Sequence, residues 1–509
     1  MAQATYADGI ISSPFPDLEI PNKDIYSLIF DDLSEEDAAL PAMTEVTTGA
    51  SVTYGELKQR SDAIAGDLHA RGIGVGDTVT LQVPNSINFA IALLGAAKVG
   101  ACVSPVGMLM NQSDVAHIIE ASNSSLFIGP TNMESIPQIF SMELADVVAR
   151  GQEAPEVDVD PESLAALPFS SGTTGFPKGV MLTHRNLAAN IVQSNFMLAE
   201  NGITHGVKIL AVLPFSHIYG FTIILLGPLL DRMHLFTMPK FDQQQFLSAH
   251  EEHGIQLTFI APPMAVMLAK EPSIRVEGFS SLELVMCGAA PLSEATLSEV
   301  EKRLDTRVIQ GWGMTEASPL VTSCKHGVSA GASVGMPIPN TELRLVDADT
   351  LADVAPTERG EVLVRGPQVM KGYINNPKAN AETLIDGGWL RTGDIAYFNE
   401  QMDLIIVDRA KEVIKYKGYQ VAPAELEAVL LTHPGIKDVG VVGVERDGLE
   451  IPRAFVVKQA DAELTAEEIM DWVAERVTPY KKVRAVDFID EIPKNPSGKI
   501  LRRALREID

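Results

Sequence analysis

The most informative stretch of this sequence is Ser170-Ser171-Gly172-Thr173-Thr174-Gly175-Phe176-Pro177-Lys178-Gly179. It combines four hydroxyl side chains and three glycines with one lysine. Glycines let backbone N–H groups approach a ligand, hydroxyls donate hydrogen bonds, and lysine supplies a positive charge. We therefore predict a loop that binds phosphate oxygens, with a solvent-exposed turn as the alternative. The stretch is not a Walker-type loop, because Pro177 replaces its second glycine and Gly179 its Mg²⁺-binding hydroxyl.

The composition narrows the class of protein. At 509 residues the chain exceeds the size of a single hydrophobic core, so we expect at least two domains. A net charge of -27 argues against nucleic acid or an anionic membrane surface as the main partner. The most apolar segment, 221–230, is short and interrupted by Gly227-Pro228, so we expect a core segment and no integral membrane association. Three cysteines without a C-x-x-C pair, and no visible secretory leader, favour the cytoplasm.

Helix-like and strand-like segments alternate along most of the chain, which indicates an α/β fold. We predict a large N-terminal domain of layered α/β sheets with a β-rich subdomain over residues 1–408. A small, mobile α+β domain is predicted over residues 409–509. Two capping boxes, at 53–56 and 465–468, predict helix starts. Because no Gly/Ser-rich linker marks the boundary, we expect a hinge of one or two residues there, which suits a rigid-body rotation.

Five further segments follow the opening loop in a fixed order: 310–316 (QGWGMTE), 389–394 (WLRTGD), 407–409 (VDR), 415–427 (KYKGYQVAPAELE) and 493–499 (PKNPSGK). With these six motifs the chain resembles the ANL adenylate-forming superfamily, which includes acyl- and aryl-CoA synthetases, non-ribosomal adenylation domains and firefly-type luciferases. Within it, the chain is most similar to the 4-coumarate:CoA ligase branch. The resemblance runs from about Tyr54 to Arg503. Any one motif would be weak evidence, whereas six in order are specific.

The resemblance implies a site for ATP and Mg²⁺. Taken alone, Thr315 and Glu316 could equally be a helix N-cap pair or ligands of Mg²⁺ and an α-phosphate oxygen. The resemblance implies the second role, with Glu316 on the metal, and it makes Asp394 and Arg409 the ribose contacts. The residues that it implies for ATP and AMP are Ser170, Ser171, Gly172, Thr173, Thr174, Gly175, Lys178, Ala289, Ala290, Gln310, Gly311, Trp312, Gly313, Thr315, Asp394 and Arg409.

Two further residues are implied to be catalytic beside Thr315 and Glu316. Lysines are usually solvated, yet Lys499 lies in a Pro/Gly-rich loop, and the resemblance makes it the cation that bridges the attacking carboxylate and the α-phosphate. A single histidine among apolar residues is commonly a core histidine, but the resemblance places His217 beside the acid carboxylate. The implied acid pocket consists of Tyr219, Ile223, Gly288, Gly313, Pro319 and Leu320, with Ile223 and Leu320 more apolar than is common in the 4-coumarate:CoA ligase branch.

The resemblance also implies a second half-reaction with CoA as co-substrate. The residues assigned to CoA are Lys415, Lys417, Gly418 and Tyr419, and Asp408 is the implied hinge. We therefore predict an ATP-dependent acid–CoA ligase that acts through acyl-AMP, with an aromatic phenylpropanoid-type acid favoured over a medium-chain fatty acid. A ligase that loads a carrier protein and a luciferase-like monooxygenase are alternatives. A catalytically dead adenylate-binding scaffold is disfavoured, because Lys499, Glu316 and Asp394 are all present.

Overall fold

The structure is a computed structural model, and it describes residues 3–170, 177–290, 292–331, 333–417, 419–446, 449–460, 462–494 and 498–508. Within these ranges no helix is long and apolar enough to cross a membrane. The chain is mixed α/β with several sheets and a separate C-terminal domain, as the sequence predicted.

The described strands are numbered along the chain: β1 Thr5–Ala7, β2 Ile10–Ser12, β3 Pro41–Glu45, β4 Ser51–Thr53, β5 Thr78–Leu81, β6 Cys102–Pro105, β7 Leu126–Gly129, β8 Gln138–Phe140, β9 Leu164–Ala166, β10 Phe169–Ser170, β11 Lys178–Thr183, β12 Lys208–Ala211, β13 His234–Thr237, β14 Leu257–Ile260, β15 Leu284–Cys287, β16 Arg307–Gly313, β17 Leu320–Ser323, β18 Met336–Pro337, β19 Glu342–Val346, β20 Gly360–Arg365, β21 Gly372–Tyr373, β22 Leu384–Ile385, β23 Trp389–Phe398, β24 Leu404–Arg409, β25 Ile414–Tyr416, β26 Tyr419–Val421, β27 Ile436–Arg446, β28 Leu449–Lys458 and β29 Ala485–Phe488.

The described α-helices are α1 Ile25–Phe30, α2 Glu35–Ala38, α3 Tyr54–Ala70, α4 Ile87–Lys98, α5 Gln112–Ala121, α6 Leu144–Arg150, α7 His184–Glu200, α8 Gly227–Leu230, α9 Gln243–His253, α10 Pro262–Lys270, α11 Glu294–Leu304, α12 Pro377–Thr383, α13 Pro423–Leu431, α14 Ala466–Ala474 and α15 Arg502–Arg506. A π-helix spans Tyr219–Leu226, and short 3₁₀ turns span Ser141–Glu143, Val276–Phe279, Thr315–Ala317 and Pro479–Lys481.

Two large sheets form the centre of the N-terminal domain. The first has nine strands in the order β18-β17-β16-β15-β14-β12-β13-β3-β4, and its strands from β16 to β3 are parallel. The second has the order β10-β11-β9-β6-β5-β7-β8, with β21 added beside β11. Helices cover both sheets because fully buried parallel strands need apolar cover on each face.

A third sheet of the same domain is antiparallel, in the order β1-β2-β19-β20-β23-β22 with β24 beside β23. The C-terminal part has its own three-stranded sheet, β27-β28-β29, and a hairpin of β25 and β26. The main hydrophobic core ends with Leu404, and a second core begins with Ile414. The predicted boundary after Asp408 lies between these cores and stays a prediction.

Local signals account for several helix starts. Both predicted capping boxes form, at the N-termini of α3 and α14, where each threonine accepts the N3 amide and each glutamate accepts the N-cap amide. Gly227-Pro228 stands where the π-helix ends and α8 begins. The π-helix passes directly into α8, because proline is tolerated in the first turn of a helix, and the segment lies in the core as expected.

Candidate active site

The predicted site residues meet at the carboxyl ends of the parallel strands of the nine-stranded sheet. His217 follows β12, Ala261 follows β14, Gly288 follows β15, and Trp312 lies near the end of β16. Since the carboxyl ends of parallel strands share one edge, loops far apart in sequence come together there. This edge is the usual position of a ligand site in an open α/β sheet.

The hairpin of β16 and β17 shapes one wall of the site. A bulge falls between Trp312 and Gly313, and a side chain on Gly313 would collide with the carbonyl oxygen of Pro319. A Cβ on Gly311 would lie 3.0 Å from Cε of Met286 and about as close to Leu320. Glycine is therefore required at 313 by the backbone of the hairpin, whereas at 311 it lets two apolar side chains pack closely against the backbone.

Gln310 lies beneath this hairpin and has its hydrogen-bonding groups bonded within the protein. Its amide oxygen accepts the Leu292 N–H at 3.1 Å, and its amide nitrogen donates to the carbonyls of Gly331 and Ser333. The side chain thus holds neighbouring loops together, and its assignment to the nucleotide stays a prediction. Ala289 is another residue that the resemblance assigns to the nucleotide. It has a left-handed φ of +72°, a strained conformation that is found at ligand sites.

The Asp394 carboxylate has two partners, the indole of Trp312 and the guanidinium of Arg409. The indole Nε1 of Trp312 donates to Oδ2 at 3.0 Å, and the guanidinium Nε of Arg409 lies 3.0 Å from Oδ1. Asp394 and Arg409 face each other directly across β23 and β24. The aspartate is only 4% exposed, so its orientation is fixed before any ribose arrives. The roles of these residues stay predictions, but the structure brings the three together.

The Glu316 carboxylate lies in the 3₁₀ turn after β16, next to the half-buried Thr315. Its Oε1 accepts the hydroxyl of Tyr373 at 2.8 Å and that of Ser170 at 3.2 Å. Burial and then the charge of Glu316 raise the pKa of Tyr373, so this hydroxyl keeps its proton and donates.

Glu316 is suited to binding a magnesium ion. Mg²⁺ is usually bound through one or two carboxylates plus substrate phosphates and water, and Glu316 presents one such carboxylate. Within the described ranges no group of three or more acidic, histidine or cysteine side chains could form an all-protein metal cage. The donor set therefore fits a metal held mainly by a bound triphosphate.

The two ends of the predicted phosphate loop are fixed by strand pairing. Ser170 at the end of β10 faces Lys178 at the start of β11 across an antiparallel pair. The ammonium of Lys178 lies 4.8 Å from the ring centroid of Tyr373. The predicted phosphate ligands Ser171, Gly172, Thr173, Thr174 and Gly175 lie outside the described residues.

Lys499 is brought to this edge by the C-terminal domain. A Cβ on Gly498 would lie 3.4 Å from Ala261 and from Pro263, so Gly498, next to Lys499, packs against the N-terminal domain. Burial and then the charge of Arg409 lower the pKa of Lys499 to about 8, with Asp394 opposing them. Lys499 therefore lies close to Asp394 and Arg409, the two residues that are predicted to bind ribose.

His217 is the neutral neighbour of this lysine. Burial and then the positive charge of Lys499 lower the pKa of His217 to about 4, so the imidazole is uncharged at neutral pH. Its Nδ1 accepts the Tyr219 N–H at 3.3 Å, which leaves the ring proton on Nε2. The imidazole can therefore donate one hydrogen bond to a carboxylate without adding charge.

The predicted acid pocket is lined by apolar side chains around the π-helix. Tyr219 is 8% exposed, donates its hydroxyl to the Met286 carbonyl at 3.3 Å and packs edge-on against Phe259. Its ring lies 3.1 Å from where a Cβ of Gly288 would stand. Ile223 and Leu320 are buried close by, and π-helical turns are frequent at functional sites.

Asp408 connects the two domains through its carboxylate. It accepts the Arg409 N–H at 2.7 Å and, across the boundary, the Ala424 N–H at 3.0 Å at the start of α13. Burial raises its pKa. A rotation at this point would have to break the bond to Ala424, which is consistent with the hinge that stays a prediction.

The residues predicted for CoA lie on or beside the β25–β26 hairpin of the C-terminal domain. Lys415 and Lys417 are exposed on the hairpin of β25 and β26, and Tyr419 stacks on Tyr480 at 4.5 Å. They contact other C-terminal residues: the Lys417 ammonium lies over the Tyr416 ring, and the Lys415 N–H donates to Glu450 at 2.7 Å. Gly418 lies outside the described residues. The structure thus groups the adenylation residues and leaves the predicted CoA residues at the surface.

Three residues near the site were missed from the sequence. Tyr373 is strand-paired to β11, and Met286 and Phe259 line the acid pocket. No local motif marks them, because each contacts the site through residues distant in the chain. The only signal for Tyr373 was its place after Gly372, whose φ of +144° favours glycine.

Comparison with known proteins shows what this chain is similar to. The model of the AMP-binding enzyme family matches residues 33–374, and that of the AMP-binding enzyme C-terminal domain matches residues 425–499. The chain is 37% identical to 4-coumarate–CoA ligase 3 of Oryza sativa subsp. japonica, over 98% of this chain and 94% of that protein. It is 36% identical to 4-coumarate–CoA ligase 2 of Nicotiana tabacum, over 98% and 97%. ATP-bound MatB of Rhodopseudomonas palustris superposes with a TM-score of 0.88 at 25% identity, over 96% and 99%.

Proposed function

This chain belongs to the AMP-binding enzyme family, and we propose that it joins a phenylpropanoid-type aromatic acid to CoA through an acyl-AMP intermediate. In general terms, the protein catalyses ATP-dependent, AMP-forming ligation of an acid to CoA, as its family and its 4-coumarate–CoA ligase relatives indicate. The aromatic acid, the residue roles and the metal are the finer parts of the proposal.

The placement of Lys499 carries the mechanism. The C-terminal domain supplies this cation to the edge where the N-terminal domain presents His217 and Asp394. In-line displacement at a phosphorus atom needs positive charge between the attacking and the phosphoryl oxygens. A lysine partly stripped of water is suited to this, since its charge acts in a medium of low dielectric.

In the first half-reaction, an oxygen of the acid carboxylate attacks the α-phosphorus of ATP, and the bond to pyrophosphate breaks. Lys499 stabilises charge on the α-phosphate, and Nε2 of His217 orients the attacking carboxylate. Asp394 and Arg409 hold the ribose, and Trp312 packs against the adenine. Glu316, with Thr315, would bind Mg²⁺, which neutralises negative charge on the phosphates.

In the second half-reaction, the thiol sulfur of CoA attacks the acyl carbonyl carbon, and the bond to AMP breaks. The C-terminal domain turns at Asp408, which withdraws Lys499 and brings the hairpin with Lys415, Lys417 and Tyr419 to the site. The two half-reactions need different groups at one place, which is the physical reason for a domain rotation.

The acid pocket supports an aromatic substrate. Tyr219 and Phe259 offer ring edges and faces, and Met286 and Leu320 add apolar surface beside Gly311. Because Gly288 and Gly311 have no Cβ, the Tyr219 ring, Met286 and Leu320 pack closely against the backbone at these two positions. Identity to the two plant 4-coumarate–CoA ligases points to the same substrate class. A cytoplasmic location stays a prediction.

The test is pyrophosphate release by the purified protein, with ATP, Mg²⁺ and CoA, across cinnamic, benzoic and short- to medium-chain fatty acids. We expect the highest kcat/KM with a hydroxycinnamic acid such as 4-coumarate. A preference for a medium-chain fatty acid would replace the aromatic substrate, and a preference for a phosphopantetheinyl protein over CoA would replace the acceptor. Light emission with luciferin and oxygen would point to a monooxygenase instead.

A matched pair of lysine variants controls this test. Lys499→Ala should abolish acyl-AMP formation yet leave thioester formation from supplied acyl-AMP largely intact. Lys494→Ala removes a neighbouring lysine that pairs with Asp438 within the C-terminal domain, and it should leave both steps near wild type. Equal loss of both half-reactions in Lys499→Ala would contradict its assigned role.

A further inference from the structure

The Glu316 carboxylate is held on one side only. Both of its hydroxyl partners, Tyr373 at 2.8 Å and Ser170 at 3.2 Å, donate to the same oxygen, Oε1. Among the described residues, Oε2 has no hydrogen-bond partner. The residue is 7% exposed, so free rotation of the carboxylate would break hydrogen bonds that water could not readily replace. The two hydroxyls therefore fix the plane of the carboxylate and, among the described residues, leave Oε2 without a hydrogen-bond partner.

Tyr373 is itself held rigidly by its neighbours. Its backbone pairs with Val180 of β11, and its N–H donates to Oδ1 of Asn380 at 2.6 Å. Asn380 returns a bond from Nδ2 to the Tyr373 carbonyl at 3.0 Å. Tyr373 is 5% exposed, so its neighbours hold the side chain in one orientation and its hydroxyl points at Glu316.

The same strand segment also fixes the backbone of Glu316. The N–H of Met370, three residues before Tyr373, donates to the Glu316 carbonyl at 2.9 Å. Main chain and side chain of the glutamate are thus both held by the segment 370–373. Such double support is characteristic of a group whose position has to be precise within a fraction of an ångström.

The aromatic ring of Tyr373 contacts Lys178, the lysine of the predicted phosphate loop. The Lys178 ammonium lies 4.8 Å from the ring centroid, within the range of a cation–π interaction. One side chain therefore touches the predicted metal ligand through its hydroxyl and the predicted phosphate ligand through its ring. The two ends of a bound magnesium–triphosphate would be aligned by this single residue.

We propose that Tyr373 is a positioning residue that orients Glu316 for one-oxygen coordination of Mg²⁺ and aligns it with Lys178. The inference rests on the proposed function, because it assigns the metal to Glu316. Tyr373 does not touch the substrate; it acts through the carboxylate and the ammonium. A purely structural tyrosine would instead serve only to pack β21 against β11 and to satisfy a buried carboxylate.

The test compares Tyr373→Phe, which removes only the hydroxyl, with the wild type. ATP affinity is measured by calorimetry with Mg²⁺ and again in EDTA without metal. We expect the Kd for ATP in Mg²⁺ to rise about tenfold to a hundredfold, as for a lost hydrogen bond to a charged group. The Kd in EDTA should stay unchanged, and so should thioester formation from supplied acyl-AMP.

A second substitution checks that the hydroxyl acts through the carboxylate. In the background of Glu316→Gln, adding Tyr373→Phe should cause no further loss of Mg²⁺-dependent ATP affinity. Tyr54→Phe is the matched control, since this buried tyrosine donates its hydroxyl to the Met233 carbonyl at 2.7 Å away from the site. It should lower thermal stability without changing either Kd.

Each result decides between the two roles of Tyr373. Equal loss of ATP affinity with and without Mg²⁺, or a lower melting temperature with both affinities intact, would overturn the positioning role. Failure of the proposed function is seen separately, as a wild-type protein that binds ATP but releases no pyrophosphate with any acid. Normal adenylation by the wild type with an unchanged Tyr373→Phe variant would reject the inference alone.

Discussion

Adenylation should lose rate at alkaline pH as Lys499 loses its proton. Burial and the charge of Arg409 lower its pKa to about 8 from 10.5. Because this pKa is lowered, the cation is present below about pH 8 and is lost as the pH rises through it. His217, with a pKa of about 4, stays neutral over the whole range and adds no second transition.

The size of the effect follows from the titration. At pH 7 about nine tenths of the free enzyme carries the Lys499 cation, and at pH 9 only about one tenth does. We therefore expect kcat/KM for adenylation to fall by about tenfold per pH unit above pH 8. The thioester step should show the opposite trend, because a thiol with a pKa of about 8.5 becomes more nucleophilic as the pH rises to that value.

The assay is quenched-flow measurement of pyrophosphate at subsaturating MgATP, from about pH 6.5 to 9.5, at constant ionic strength. Cinnamate serves as the acid because it has no phenol that titrates in this range. Lys499→Arg is the decisive variant, since a guanidinium stays charged and should flatten the alkaline limb even where the overall rate is lower. Lys494→Arg should keep the wild-type profile. A wild-type kcat/KM that is flat above pH 8, or an identical decline in Lys499→Arg, would rule out Lys499 as the titrating group.

Two more outcomes test the pocket and the C-terminal domain. Gly288→Ala places a methyl group 3.1 Å from the Tyr219 ring, so kcat/KM should fall about tenfold or more for 4-coumarate and less for a smaller acid such as benzoate in pyrophosphate release. An equal loss for both acids would argue against a pocket at this place. Arg502→Met leaves Glu427 buried without its 2.9 Å partner, which should cost about 3–5 kcal/mol and lower the melting temperature, as measured by calorimetry. Unchanged melting would show that solvent reaches Glu427.

Features encoded by neighbouring residues were predictable from the sequence. The capping boxes at Thr53 and Thr465 formed because their hydrogen bonds join residues three positions apart. The α/β class followed from the alternation of periodic segments, and the family from six ordered motifs. The separate C-terminal domain was predicted as well, from its short apolar β runs and from the helix that the second capping box begins.

Features that depend on long-range packing were not predictable. Tyr373 reaches Glu316 across 57 positions, and Trp312 reaches Asp394 across 82. The nucleotide role that the resemblance implies for Gln310 stays a prediction, but the bonds of its side chain to Leu292 and to two carbonyls of a neighbouring loop could not be foreseen. Such contacts depend on which strands become neighbours, and strand order is not a local property of the chain.

The lowered pKa of Lys499 also explains why the domain rotation should follow the first half-reaction, the formation of acyl-AMP. Holding this cation in the closed site costs about 3 kcal/mol at neutral pH, the equivalent of its shift from 10.5 to about 8. A bound triphosphate offsets this cost with its negative charge. Once pyrophosphate departs and the α-phosphate is joined to the acid as a mixed anhydride, most of that charge is gone, and withdrawal of Lys499 into water becomes favourable. Withdrawal also has to break hydrogen bonds that cross the predicted boundary, among them those from the Ala424 N–H to Asp408 and from the Ala410 N–H to the Gly393 carbonyl. We therefore expect the closed arrangement to be stabilised by ATP and weakened by the adenylate, so that the first reaction prepares the second.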